Sequence, residues 1–227
     1  MSQIHAIFSD TVLIDPKLIA PIRGVVDQVL SEINITSISV GSTYSPNLDN
    51  WSCDIDLQVD IDKIGNVFNK PSAAENRKAL ATHFTLKGLD TARIGINVFV
   101  RVPFNNKAYQ VDLECIRNVD KISRYHQHAI PKGSPYKGVN KQLMILHLAK
   151  QQGFMYSAWE GLYARTIDNK KGVLVTDDWD DIALLLIGVR DGNKLGSVES
   201  IMNALPTNEA HNLLAIATQD KNWYTHG

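Results

Sequence analysis

Long hydrophobic runs are missing from this chain of 227 residues. No stretch of eighteen apolar residues occurs, so no membrane-spanning helix is expected. The opening MSQIHAIFSD has no basic segment followed by an apolar core, so no secretory signal is expected. Cysteine is scarce. Cys53 and Cys115 are the whole complement, and both fall in expected core strands. They read as reduced, buried thiols in a cytoplasmic protein rather than a disulfide framework. Net charge is nearly absent at −1, which excludes a broadly basic nucleic-acid coat. Repeats, low-complexity stretches and long linkers are also lacking. What the chain does have is 44% hydrophobic residues, enough for a core in one large domain or two small ones.

The small net charge hides an uneven distribution. Residues 1–70 carry four basic against nine acidic side chains, and residues 151–227 carry six against ten. Residues 101–150 reverse this, with nine basic against three acidic. Such a basic middle is either a home for phosphates or a solvated helix face.

Several elements follow from local pattern. Asp15-Pro16 joins a capping carboxylate to a proline at the first helical position. Leu18, Ile22, Val25, Val26, Val29 and Ile33 then recur at helical spacing. A second helix is expected over 73–87, starting near Ser72 and ending before Gly88. RIGINVFVRV (93–102) and AYQVDLECI (108–116) read as two strands, with Pro103, Asn105 and Asn106 in a hairpin turn between them. A helix over 138–152 stops at Gly153. Another starts near Pro206-Thr207, and the tail NWYTHG reads as surface or docking. Residues 117–140 read as basic and irregular.

The chemistry concentrates in residues 40–60, VGSTYSPNLDNWSCDIDLQVD. Ile35, Ile38 and Val40 form a buried strand that ends in a Gly41-Ser42 turn. A polar loop follows, and then the strand CDIDLQVD. Residues two apart on a strand share a face, so Asp54 and Asp56 project together, opposite Ile55 and Leu57. Two like charges this close need a compensating cation. A hard divalent ion with oxygen ligands, Mg²⁺, is the natural one, with Mn²⁺ as a substitute. The plainer alternative is an acidic edge strand after an ordinary loop. In AYQVDLECI, Val111, Leu113 and Cys115 alternate with Asp112 and Glu114. A carboxylate between Val and Leu on a central strand needs a reason, since unpaired buried charge is costly; a half-exposed acidic face is the alternative. Among the basic residues 117–141, Arg117, Lys121, Arg124, Lys132, Lys137 and Lys141 are candidates for phosphate contact. His126 and His128 read as polar surface or phosphate contacts.

The run Val40, Gly41, Ser42, spacer, Asp54, Ile55, Asp56, Leu57 resembles the signature of the nucleotidyltransferase superfamily typified by DNA polymerase beta. The order VDLECI, KGSPYKG, KQLMILHLAKQQG, FMYSAWEGLYAR and VLVTDDWDDIALLLIG is similar to the palm and thumb of family X DNA polymerases over about residues 40–190. The resemblance implies an α+β fold. A small mixed-sheet palm with flanking helices would occupy 1–118, and a mostly helical, thumb-like region 119–227. It also implies metal-dependent transfer of a nucleoside monophosphate from a nucleoside triphosphate, ATP among them, to an acceptor hydroxyl. Asp54, Asp56 and Asp112 would be the catalytic metal ligands for two ions, with Glu114 behind them. Gly41, Ser42, Lys132 and Lys137 would bind the nucleotide. The acceptor could be a nucleic-acid 3′ end, a small molecule or a protein. The alternative is a catalytically silent binding or regulatory protein that keeps the fold.

Overall fold

The computed structural model describes residues 7–44, 51–127, 131 and 133–219. The polar loop 45–50, His128, Lys132 and the tail NWYTHG lie outside the described residues. The fold is α+β, and the chain divides into two compact units, Met1–Val119 and Asp120–Gly227.

The first unit is a five-stranded mixed sheet with helices on one face. Its elements run α1 (Pro16–Ser31), β1 (Ser37–Ser39), β2 (Asp54–Asp60), α2 (Ile61–Phe68), α3 (Ala73–Leu86), β3 (Asp90–Ile94), β4 (Asn97–Phe104) and β5 (Lys107–Ile116). The strand order is β1-β2-β5-β4-β3. Among these five strands β2 and β5 pair in parallel, and the other neighbours pair antiparallel. Period-two alternation sorts the two faces. Ile55, Leu57 and Val59 of β2, Val98, Val100 and Val102 of β4, and Val111, Leu113 and Cys115 of β5 enter one core. Ile22, Val26 and Leu30 of α1 and Leu80 and Phe84 of α3 meet them there. The alternate residues of β2 and β5 are thereby committed to the other, polar face.

The expected helix starts are found. Asp15 accepts a hydrogen bond from the Lys17 amide at 2.9 Å, and Ser72 accepts one from the Glu75 amide at 3.2 Å. The β4–β5 hairpin turns on Asn105 and Asn106 alone, with φ of 50° and 60°. Positive φ at both central residues matches the twist of the flanking strands.

Other expectations need correction. The run 93–102 is not one strand. Gly95, at φ 58°, reverses the chain between β3 and β4, pairing Ile94 with Asn97. Glycine at the first central position supplies that conformation without steric cost. Cys53 is exposed, because β2 begins only at Asp54; Cys115 is buried as expected. Burial pushes the Cys115 thiol up to about 12, so it stays protonated and inert.

The second unit contains α4 (Val119–His126), α5 (Gly138–Gln151), β6 (Phe154–Ser157), β7 (Gly161–Arg165), β8 (Lys171–Thr176), α6 (Trp179–Ile187), α7 (Val198–Ala204) and α8 (Thr207–Gln219). β6, β7 and β8 form an antiparallel sheet in that order. α4 replaces the irregular segment expected from residue 117 onward. Val119, Ile122 and Tyr125 are buried along it, an apolar face at helical spacing that the surrounding lysines and arginines mask in the sequence. No helix among the described residues is long and apolar enough to cross a membrane.

Candidate metal centre

The parallel register of β2 and β5 builds the site. Asp56 pairs with Asp112, Asp54 with Gln110 and Gln58 with Glu114. All six project from the polar face, since their strand neighbours fill the core. Asp54, Asp56 and Asp112 each present a carboxylate oxygen within 4.8 Å of the others. Three acidic oxygens this close form a donor set suited to a hard cation, and unsuited to thiolate- or imidazole-seeking metals.

Electrostatics agree with the geometry. Asp56 is held well above the ordinary carboxylate range by burial and then by the charges of Asp54, Glu114 and Asp112. Asp112 is raised to about 7 by burial and then by Asp54, against the opposing hydrogen bond from Gln110. Phe99 of β4, buried, stands opposite Asp112 in the sheet and removes water from that side. A divalent ion placed among such carboxylates would offset their mutual repulsion and favour their ionised form.

Gly41 closes the cluster from β1. The Val40 amide donates to the Asp56 carbonyl at 3.1 Å, which brings the turn directly over Asp56. A β-carbon at Gly41 would lie 2.1 Å from Asp56 Oδ2 and 2.8 Å from its Cγ, and φ there is +64°. Both the approach and the backbone conformation require glycine. Ser42 begins a short 3₁₀ turn, Ser42–Tyr44, in which Thr43 is buried and its hydroxyl donates to the Val40 carbonyl at 3.3 Å.

Two glutamines were not among the expected site residues. Gln110 Nε2 donates to Asp112 Oδ1 at 2.8 Å, and its Oε1 accepts from the Ile7 amide at 2.7 Å. Asp112 therefore has one oxygen oriented by the protein. Gln58 Nε2 donates to Glu114 Oε2 at 2.8 Å. Glu114, raised to about 7 by burial, is thereby tied into a separate cross-strand pair. The signal was available in the sequence. Gln58 continues the Asp54, Asp56 alternation, and Gln110 precedes Asp112 by two.

The basic segment is largely committed elsewhere. Arg117 pairs with Asp62 at 3.3 Å, Lys121 with Asp177 at 2.9 Å and Arg124 with Asp180 at 3.3 Å. Lys141 is buried, with Nζ donating to the Tyr125 carbonyl at 2.6 Å. Burial drives that amine down to about 7. His126 is no surface group. Its Nε2 lies 2.8 Å from the Ala158 carbonyl and its ring stacks on Trp159 at 4.3 Å. Burial pushes it down to about 4, so it is neutral and structural. Lys137, exposed, sits at the N-terminal end of α5 in the second unit.

No family model matches the chain, and no curated protein sequence matches it. Among solved structures, the chain is similar to polymerase beta of Leishmania infantum in a ternary P/T complex. Identity is 16%, over 77% of this chain and 73% of that one, with a TM-score of 0.49. A likeness this loose carries no argument about activity.

Proposed function

We propose that the chain is a metal-dependent nucleotidyltransferase that moves a nucleoside monophosphate from a nucleoside triphosphate to an acceptor hydroxyl, releasing pyrophosphate. The observation that carries this reading is the convergence of Asp54, Asp56 and Asp112 from two parallel strands to within 4.8 Å, beneath a glycine turn that only glycine can make. In this reading residues 1–118 are the palm and residues 119–227 a thumb-like region.

Asp54, Asp56 and Asp112 would hold Mg²⁺, or Mn²⁺ in its place. When bound, such ions would neutralise triphosphate charge and lower the pKa of the attacking hydroxyl. The protein's own contribution is positioning. Gln110 donates a hydrogen bond to one Asp112 oxygen and so fixes the orientation of that carboxylate. Gly41 and Ser42 would offer backbone amides to the triphosphate oxygens, as successive amides in a tight turn do. Lys137 and Lys132 are the further phosphate contacts of this reading. A nucleic-acid 3′ end is the acceptor proposed first, with a small molecule or a protein hydroxyl as the other classes.

The test is release of pyrophosphate from each α-labelled nucleoside triphosphate with Mg²⁺ and a cell extract, following where label goes. Asp56→Asn should lower turnover by roughly a thousandfold or more, the scale expected when a metal ligand is lost. Near-normal Mg²⁺-dependent turnover in that variant, or no turnover by the unaltered protein with any acceptor, would remove the assignment in favour of a silent binding protein.

A further inference from the structure

The helical face of the first unit's sheet is apolar as far as β4 and turns polar at β3. In the β3–β4 register Thr91 pairs with Val100 and Arg93 with Val98. Paired residues of a sheet share a face. Val98 and Val100 enter the core, so Thr91 and Arg93 lie on that same helical face. Asp112 pairs with Phe99, one residue out of step, and lies on the opposite face. Between α3 and this polar edge runs a cleft of about 280 Å³. Lys78, Thr82 and Thr85 line it from α3, and Thr91 and Arg93 from β3, with Ala81 and Leu86 as an apolar wall. It is therefore separate from the carboxylate cluster.

The lining has two cations and no acid. Lys78 and Arg93 are exposed and have no ion-pair partner among the described residues. Two uncompensated charges at one concavity focus a positive potential on whatever enters it. The threonines supply the opposite polarity. Thr82 Oγ1 donates to the Lys78 carbonyl at 3.0 Å, and Thr85 Oγ1 to the Ala81 carbonyl at 3.1 Å. Thr91 Oγ1 lies 3.1 Å from Thr85 Oγ1 and 3.4 Å from the Ala81 carbonyl. The hydroxyl protons are thus engaged within the protein, and the oxygens are left as acceptors.

We infer that this cleft binds a small phosphate monoester bearing hydroxyl groups. Its phosphate lies between Lys78 and Arg93, and its hydroxyls donate to the threonine oxygens. Its carbon skeleton rests on Ala81 and Leu86. A phosphate monoester carries a charge of about −1.5 to −2 at neutral pH, which answers two cations where a carboxylate answers one. The guanidinium fork suits phosphate oxygens in particular. A single concavity with two cations fits a small molecule better than a nucleic-acid backbone, which is held by a series of cations along a groove.

Calorimetric titration of the full chain with ribose 5-phosphate, inorganic phosphate and ribose tests the site. EDTA is present throughout, so that no divalent ion holds phosphate at the carboxylate cluster and the result does not depend on turnover. Ribose 5-phosphate should bind with a Kd of about 1 mM or tighter. Inorganic phosphate should bind more weakly, and ribose not measurably. Lys78→Gln and Arg93→Gln should each weaken ribose 5-phosphate at least about tenfold with the melting temperature unchanged, since both side chains are exposed. Thr91→Val should remove the advantage of ribose 5-phosphate over inorganic phosphate and leave phosphate binding as it was. Absent ribose 5-phosphate binding, an affinity no better than that of phosphate, or one indifferent to Lys78→Gln and Arg93→Gln would overturn the inference. So would an oligonucleotide that binds where ribose 5-phosphate does not and is lost in Arg93→Gln, which would make these cations a backbone contact.

Discussion

Asp112 and Glu114 share a strand face and an acidic character, yet their surroundings separate them. Asp112 lies directly opposite Asp56, while Glu114 lies opposite Gln58 and accepts its amide. Glu114 is therefore engaged by a neutral partner one pair away from the cluster. Asp112→Ala should abolish turnover, and Glu114→Ala should reduce it only partly, as steady-state kinetics of the two variants would read. An equal loss in both would mean that Glu114 is itself a ligand. The same carboxyls make a pH prediction. In the unfolded chain they ionise near pH 4, whereas in the folded protein Asp112 and Glu114 keep their protons up to about 7. Between those limits the folded state binds more protons, so their contribution to stability falls as pH rises through that window. A divalent ion competes with those protons, so its stabilising effect grows over the same window. Melting curves with and without Mg²⁺ should show a clear upward shift at pH 8 and little at pH 5. Equal shifts at both would contradict the cluster as the binding site.

At the scale of the element, the β4–β5 hairpin controls the register of β5. The turn pairs Phe104 with Lys107, which sets Val100 against Val111 and Phe99 against Asp112. A slip of one residue would send Asp112 into the core and Val111 onto the polar face. The turn relies on left-handed conformations at Asn105 and Asn106, which cost an ordinary L-residue about 1–2 kcal/mol. Asn106→Gly should therefore stabilise the protein slightly, and Asn106→Val should destabilise it by about 1–2 kcal/mol. Urea unfolding distinguishes them, and a neutral Asn106→Val would show that the turn does not carry the register. α4 makes the complementary point. Its cations were candidates for ligand contact, but Lys121 and Arg124 pair with carboxylates of the second unit itself.

For the whole molecule, the consequence is a modest electrostatic hold on nucleic acid. Of the basic residues from 117 to 141, Arg117, Lys121 and Arg124 are ion-paired and Lys141 is buried. Each phosphate neutralised contributes roughly 0.7–0.9 to the log–log salt dependence. With so few cations uncommitted, oligonucleotide binding should be weak, with a slope shallower than about −2. A binding titration at several salt concentrations measures it. A slope steeper than about −4 would show that the paired cations are recruited to phosphate after all.

Residue alternation alone was enough to read the polar and apolar faces of β2 and β5, because strand geometry fixes which neighbours share a side. The helix starts at Asp15 and Ser72 and the stops at Gly88 and Gly153 were legible for the same local reason, since caps and left-handed turns are chemistry of a few adjacent residues. Local pattern could not reveal α4, whose buried stripe is interrupted by charges, or the reversal at Gly95 inside an apolar run. Nor could it show that β2 and β5 are parallel neighbours, with Asp56 and its partner Asp112 56 positions apart in sequence. That pairing, the closing of Gly41 onto Asp56, and the loss of four basic side chains to ion pairs and burial belong to the tertiary structure. Each depends on groups distant in sequence, whose proximity is set by how the core packs.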